Sequence, residues 1–214
     1  METPQTVTAP RYHARILTPR LDLRPLQPGD EADLSEAKME TAERLSKVFE
    51  WASQGFDPDK DRTYVVQCHA NYKAGLDLSL VGRRREDGRP VLWTGLHDKP
   101  GDKDVYQIGF WVRESAQGQR FAAEAANAMI RYAFNALGAR AIVMCHSETN
   151  TKSRAIFNAL GFEFEEKREN SLRMAGGRIV DAYWYRMTDP KVLPEMDVKW
   201  EAATNPPALR LRQT

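Results

Sequence analysis

The sequence is poor in the features that mark secreted, membrane-bound and metal-binding proteins. Only two of its 214 residues are cysteines, Cys68 and Cys145, and neither belongs to a CxxC pair or to a Cys/His pattern typical of zinc sites. This argues against a disulfide framework and a bound metal, and it favours a reducing compartment. No apolar segment approaches membrane-spanning length, and residues 1–17 lack the apolar run of a signal peptide. We therefore expect a cytoplasmic protein without a membrane partner.

An excess of either charge sign is also missing. The 31 lysines and arginines balance 30 aspartates and glutamates, which gives a formal net charge of +1. A balanced chain has no general attraction for nucleic acid, and the basic run at residues 83–85 is too short to change that expectation. A hydrophobic content of 42% over this length is enough for one sizeable domain.

The most informative stretch is residues 106–137, which predicts a buried strand, a polar loop and a long helix. The strand is apolar on both faces, so it should lie in the centre of a sheet. The helix has apolar residues at helical spacing and ends at Gly138. Residues 113–120 between them include no large apolar side chain. Unpaired N–H groups and the helix dipole would both face this loop, which predicts a phosphate-binding site.

The remaining patterns predict a mixed sheet. Hairpins are indicated at Asp87-Gly88 and Gly176-Gly177, whereas the strand–helix–strand unit at residues 106–146 should be parallel and right-handed. We predict an α/β (α+β) domain whose central sheet is mixed and mostly antiparallel, with helices on both faces. Residues 1–15 are predicted to form a flexible leader, residues 16–187 the domain, and residues 188–214 a C-terminal tail that is mobile or reaches a partner.

Three local motifs, in the right order and at the right spacing, resemble the GNAT superfamily of acyl-CoA-dependent N-acyltransferases. The motifs are LTPRLDLRPLQPGDEADL, IGFWVRESAQGQRFAAEA and NTKSRAIFNALGF, and the resemblance covers about residues 16–187. It is closest to the RimJ/RimL-type branch, which acetylates protein N-termini or small amines. The resemblance implies a GNAT-like fold, acetyl-CoA as co-substrate, and direct attack by the amine in a ternary complex, without metal or covalent enzyme intermediate.

The resemblance also implies where the cofactor lies. Pantetheine would run along the strand that ends at Val112, and the thioester would sit where this strand diverges from residues 141–145. A backbone N–H near Trp111 or Val112 would hold the thioester carbonyl. Asn150 would contact the cofactor, act as a plain helix N-cap, or do both. The predicted cofactor-binding residues are Phe110, Trp111, Val112, Gln117, Gly118, Gln119, Arg120, Phe121, Ala122, Asn150, Ser153 and Phe157.

Two positions depart from the superfamily pattern. Arg120 replaces a glycine of the phosphate loop, although its Cβ would fit if the residue is helical, and the guanidinium could itself face a phosphate. We expect binding to be retained, because the cradle consists of backbone N–H groups. Gln107 occupies the position of a glutamate base, and an amide cannot accept the proton. These departures support an alternative hypothesis, an acyl-CoA-binding module or sensor with weak catalysis.

Other residues must then supply the proton chemistry. His146, at the end of the strand beside the expected thioester, is our first candidate base, followed by His97 and Glu148. A hydrogen-bonded strand-end residue is the more common role for each histidine. Ser153 is a candidate proton donor, because Phe157 stands where many members have a tyrosine. Three tryptophans, Trp51, Trp93 and Trp111, could line an acceptor pocket or belong to the core. Exposed strand edges and the tail allow a homodimer.

Overall fold

The computed structural model describes Tyr12, residues 15–52 and residues 57–201, and these residues form one nine-stranded sheet. The strands are β1 (Arg15–Leu17), β2 (Leu21–Pro25), β3 (Leu78–Arg84), β4 (Pro90–Asp98), β5 (Val105–Val112), β6 (Ala141–Ser147), β7 (Glu163–Arg173), β8 (Ile179–Met187) and β9 (Lys199–Glu201). Their order is β7-β8-β6-β5-β4-β3-β2-β1-β9. The β5–β6 pair is parallel and the other neighbours are antiparallel. The predicted mixed, mostly antiparallel sheet is confirmed.

Helices cover both faces of this sheet, as predicted. They are α1 (Glu31–Glu40), α2 (Ala42–Val48), α3 (Pro58–Lys73), α4 (Phe121–Ala136) and α5 (Thr151–Leu160). The main core lies between α4 and one face, where Leu23, Leu92 and Ile108 are buried against Met129. A smaller cluster joins α1 and α3 to the opposite face through Leu34, Val65, Val81 and Trp93. Alternating residues of β3 and β4 therefore enter different cores, as the two-residue period of a strand requires.

The helical region that follows β2 is divided into two helices. Thr41 separates α1 from α2, and its hydroxyl donates to the carbonyl of Ala37 at 2.7 Å, a local bond that competes with helix continuation. The hairpin at Asp87-Gly88 forms, but five residues rather than two connect its strands. The Asp87 carboxylate stabilises this wider loop by accepting from the guanidinium of Arg84 and the N–H of Arg89.

Both predicted terminal segments meet the domain where the structure describes them. Most of residues 1–15 lie outside the described residues, but Tyr12 is buried and stacks on Tyr72, with 6.4 Å between ring centroids. Residues 188–201 come after β8 in the sequence. They pass along α4 and return to the sheet as β9, which pairs with β1. Asn127 and Arg131 both donate to the carbonyl of Pro194, at 2.9 and 3.0 Å. The sheet ends in β7 and β9, and the expected homodimer stays a prediction.

A gap opens between β5 and β6, the only parallel neighbours in the described sheet. Their register covers residues 105–107 against residues 141–143, after which β6 pairs with β8 alone. The N–H of Arg113 donates to Val91 and the N–H of Lys99 donates to Val105, so odd-numbered residues of β5 bond to β4. By the alternation of an antiparallel ladder, the backbone groups of Ile108, Phe110 and Val112 face the gap. We call this opening the strand gap.

Candidate active site

A cavity of about 1250 Å³ adjoins the strand gap. Its walls come from the end of β5, the following loop, the first turns of α4 and α5, and residues 194–196. It brings together most of the predicted cofactor-binding residues: Phe110, Trp111, Val112, Gln117, Gly118, Arg120, Phe121, Ala122, Asn150 and Ser153. The side chains of the other two do not line it. Gln119 belongs to the same loop but its side chain is exposed, and Phe157 is buried against His146 and Tyr185. We call this space the first cavity.

The loop presents a row of free backbone donors to the first cavity. The first helical hydrogen bond of α4 runs from the N–H of Glu124 to the carbonyl of Arg120 at 3.1 Å. Within the described part of the protein, the N–H groups of residues 118–123 donate to no acceptor. Gly118 permits the turn with φ of 74°, which glycine adopts at little cost. Such a row at a helix N-terminus favours a bound anion.

Arg120 differs from the sequence-based expectation in its backbone. The residue is not in the right-handed helical region; φ of 63° and ψ of 15° place it in the left-handed region, at the N-cap of α4. The loop therefore keeps a glycine-like conformation in a residue with a Cβ, at a cost of roughly 1–2 kcal/mol. Its exposed side chain lines the first cavity.

Charge in the first cavity also suits an anion. Its ionisable lining residues are four cations (Arg20, Arg44, Arg120 and Lys152) and two carboxylates (Glu124 and Glu195). Glu124 is already occupied, because it accepts from the Thr18 hydroxyl at 2.6 Å and from the Arg20 guanidinium at 2.7 Å. Arg44 donates to Gln117 and to Glu114, which braces the loop from α2.

The loop is fixed to α1 at its start. The guanidinium of Arg113 is 2% exposed and donates to Glu36 and Glu40. The other Glu40 oxygen accepts from the N–H of Ser115 at 2.6 Å. Burial raises the pKa of Glu40, but the hydrogen bonds from Ser115 and Arg113 outweigh it and lower the pKa to about 2. Glu40 is therefore charged at neutral pH and holds the loop by two charge-assisted contacts.

A second cavity of about 520 Å³ lies among β3, β4, β5, α1 and α3. Three aromatic residues line both cavities: Phe49, Phe110 and Trp111. Its floor is the opposed pair Gly95 and Gly109 of β4 and β5, with the opposed pair Trp93 and Trp111 on one side and His97 on the other. The two indoles stack with 4.4 Å between centroids. A Cβ at Gly109 would meet nothing within 4 Å, so the floor is open above Gly109, whereas the His97 ring covers Gly95.

His97 stands at one end of this floor. Its Nδ1–H donates to the Asp77 carboxylate at 2.5 Å. This bond raises the pKa of His97 and outweighs burial, which lowers it. Burial raises the pKa of Asp77, but the hydrogen bond and charge of His97 lead the contacts that lower it overall. Asp77 was absent from the sequence-based candidates, because 20 residues separate it from His97 and only the β3–β4 pairing unites them.

The other predicted proton-transfer residues lie apart from the second cavity. His146 is 3% exposed, its Nδ1–H donates to the Ser147 carbonyl at 2.7 Å, and its ring lies among aromatic rings of α5 and β8. It lines neither cavity, and neither does Glu148, which is exposed in the turn after β6. Ser153 lines the first cavity, where its N–H donates to the Asn150 side chain at 3.2 Å. Asn150 is thus an N-cap that also faces the first cavity.

Among the residues that the structure describes, no cluster of three or more histidine, cysteine, aspartate or glutamate side chains is arranged to hold a metal ion. None of the described helices has the length and apolar character needed to cross a membrane.

Comparison with known proteins agrees with this architecture. A curated relative, "Putative ribosomal N-acetyltransferase YdaF" from Bacillus subtilis (strain 168), is 26% identical over 156 residues, which cover 73% of this chain and 85% of the relative. RimJ of Mycobacterium smegmatis, solved in complex with CoA-disulfide, superimposes with a TM-score of 0.75 at 22% identity and covers 88% of this chain and 93% of its own. RimL, a ribosomal L7/L12 alpha-N-protein acetyltransferase solved with coenzyme A, gives 0.74 at 16% identity, with 81% and 96% covered.

A family model decides the assignment. The model described as "Acetyltransferase (GNAT) domain" matches residues 20–163, about two thirds of the sequence. The match begins at β2 and extends to the first residue of β7, so it includes both cavities' strands, the loop, α4 and α5. The chain therefore belongs to the GNAT family of acetyltransferases.

Proposed function

We propose that this protein is an acetyl-CoA-dependent N-acetyltransferase that acetylates a primary amine by direct attack in a ternary complex. The observation that carries the proposal is the row of free N–H groups at residues 118–123, which faces a large cationic cavity beside the strand gap. A diphosphate matches this row, because backbone donors at a helix N-terminus bind phosphate oxygens. Arg120 and Lys152 add positive charge within the same cavity, whereas Arg20 is paired with Glu124.

The strand gap provides the place for the reactive end of the cofactor. Acetyl-CoA supplies an activated acyl thioester. The backbone groups of Phe110 and Val112 face the gap, so their N–H groups can bind pantetheine and polarise the thioester carbonyl. The N–H of Trp111 faces β4 instead, so Val112 is the better of the two donors expected from the sequence. Trp111 contributes its side chain, which lines both cavities.

The second cavity is the site proposed for the acceptor amine. It meets the first cavity at Phe110 and Trp111, so both substrates can bind together and no covalent enzyme intermediate is needed. The names of YdaF and RimL favour a protein N-terminus as acceptor. A small amine is the alternative. The reducing setting suggested by the two free cysteines fits action in the cytoplasm.

Two measurements test this function. Titration calorimetry with acetyl-CoA should show binding, and a thiol-release assay with a panel of N-terminal peptides and small amines should show turnover. Binding without thiol release across the panel would support the alternative of a cofactor-binding module with weak catalysis, for which Gln107 and Arg120 are the motivation. A protein that neither binds acetyl-CoA nor releases thiol would contradict both.

A further inference from the structure

We propose that His97, oriented by Asp77, is the general base of this enzyme, and that the pair makes the α-amino group of a protein N-terminus the preferred acceptor. The inference rests on the proposed function. It assigns the proton acceptor, which the family match leaves open, and it chooses between two classes of amine.

The His97 ring has one nitrogen fixed and one nitrogen free. Because Nδ1–H donates to Asp77, the lone pair of the neutral ring is on Nε2. Nε2 makes no hydrogen bond with the described part of the chain. An ideal Cβ built on Gly95 would lie 3.1 Å from Nε2, so the ring folds back over Gly95 instead of extending past the end of β4. Nε2 thus lies over the glycine floor of the second cavity.

This position is directed toward the cofactor. Gly95 pairs with Gly109, and the next β5 residue, Phe110, lines both cavities. An amine lying over Gly109 would have the His97 ring, which covers Gly95, on one side and the strand gap on the other. No side chain stands between, because Gly109 has none. His97 is 52% exposed, so the base is reachable from solvent and can release its proton there.

The other ionisable groups of the second cavity are less suited to this role. Asp61 accepts from the Ser35 hydroxyl at 2.7 Å and from Lys38. Asp57 accepts from the N–H of Asp59 and caps α3. Burial, the largest cause, raises the pKa of Tyr64, which keeps that phenol protonated. The charged or titratable groups around His97 are Asp77, Asp98, Lys38, Lys60, Asp57, Asp61 and Tyr64.

The chemistry then balances with the residues present. The amine nitrogen bonds to the acyl carbon, the carbon–sulfur bond breaks, and CoA leaves as the thiolate with that electron pair. The nitrogen's extra proton passes to Nε2 of His97. An α-amino group has a pKa of about 7.7–8.0, whereas that of lysine is about 10.4. A histidine whose pKa is raised above its usual range is well matched to the first and poorly matched to the second.

The test compares His97→Gln with a matched control, His69→Gln. His69 bonds to the carbonyl of Leu26 at 3.1 Å and lines neither cavity. With a peptide acceptor, H97Q should lower kcat/KM by about 10²–10⁴-fold while the acetyl-CoA Kd stays unchanged. H69Q should leave both values near those of the wild type. Two peptides that share one lysine-containing sequence complete the test. The first has a free N-terminus, and the second is N-acetylated so that lysine is its remaining amine; the first should react faster.

A pH profile separates a base from a merely structural residue. Activity of the wild type should fall as pH decreases through the raised pKa of His97, because the protonated ring cannot accept a proton. Asp77→Asn removes the charge that raises this pKa, so the fall should move to lower pH. The part of the pH profile that reflects deprotonation of the amine itself should not move.

The proposal is overturned if H97Q keeps wild-type turnover and the same pH profile, or if the lysine peptide is preferred. Should H97Q fail to fold, the D77N profile decides, and an unshifted acid limb would count against the base. Failure of the proposed function looks different: the wild type itself would then release no thiol with any amine.

Discussion

The two cavities on either side of β5 are made of different parts of the protein. The first offers main-chain N–H groups of residues 118–123, which depend on the path of the loop and little on which side chains it carries. The second offers side chains, with His97, Trp93 and Trp111 around a floor that has none. A site made of backbone tolerates substitutions, as Arg120 in a left-handed position shows. A site made of side chains changes its chemistry with each one.

The contrast between the two cavities predicts the largest effect when one backbone donor of the first cavity is removed. Ala122→Pro deletes an N–H at the second position of α4, where no intrahelical hydrogen bond is lost. A hydrogen bond to a charged group contributes about 1.5–3 kcal/mol, so the acetyl-CoA Kd should rise by about 10–100-fold. Calorimetry measures it. Ala122→Ser keeps the donor and serves as control; equal Kd values for the two variants would show that this N–H is not a ligand.

The second cavity can be challenged by filling its floor. Gly109 has open space at its Cβ and no positive φ, so Gly109→Val should fold, and valine suits a strand. The KM for the acceptor should rise by at least about tenfold, the scale on which added methyl groups alter pocket binding. The acetyl-CoA Kd should change by less than about threefold, and Gly109→Ala should give an intermediate KM. A normal KM in the valine variant would place the acceptor elsewhere.

Glu40 tests how far the backbone-built site depends on one distant side chain. Glu40→Gln weakens the charge-assisted contacts to Ser115 and Arg113 and should cost about 1–3 kcal/mol of unfolding free energy at pH 7. Because the folded pKa of about 2 is below the ordinary value of 4.5, the contribution of Glu40 is complete above pH 4.5 and is lost as pH falls toward 2. Urea unfolding at several pH values should therefore show the two proteins converging in acid. A difference in unfolding free energy that stays constant with pH would show that the Glu40 carboxylate does not anchor the loop.

The smallest effect concerns backbone strain. Arg120→Gly places the residue suited to φ of 63° in the loop and should stabilise the protein by about 0.5–1 kcal/mol, since relief of strain exceeds the entropy lost. Thermal unfolding measures it, with Gln119→Gly as control. Gln119 has no positive φ, so the same change there should destabilise. Similar shifts in both variants would show that the left-handed position is not strained.

Local patterns were sufficient to predict the strand, loop and helix that surround the first cavity. Apolar residues on both faces of β5, the polar loop and the helical period of α4 all lie in one continuous stretch, and residue matches to the GNAT superfamily then predicted the lining of the first cavity. The three-residue strands β1 and β9 were missed, because so short a segment has no period to detect.

Long-range contacts explain what the sequence could not distinguish. His97 and His146 both stand near the end of a strand, and the sequence favours His146 because its strand lies beside the expected thioester. The packing of α5 and β8 buries His146, whereas the β3–β4 register leaves His97 exposed beside Asp77. The burial of a histidine and its hydrogen-bond partner both depend on the assembled sheet, so the residues next to a histidine in the sequence do not predict them.

The hydrogen bonds that Asn127 and Arg131 donate to the carbonyl of Pro194 have a consequence for biosynthesis. Residues 194–196 form one wall of the first cavity, yet they are translated more than 70 positions after the loop that begins it. A nascent chain with every strand up to β8 outside the ribosome still lacks that wall. We therefore expect tight cofactor capture only once synthesis has passed this point, so that an incompletely made polypeptide does not sequester CoA.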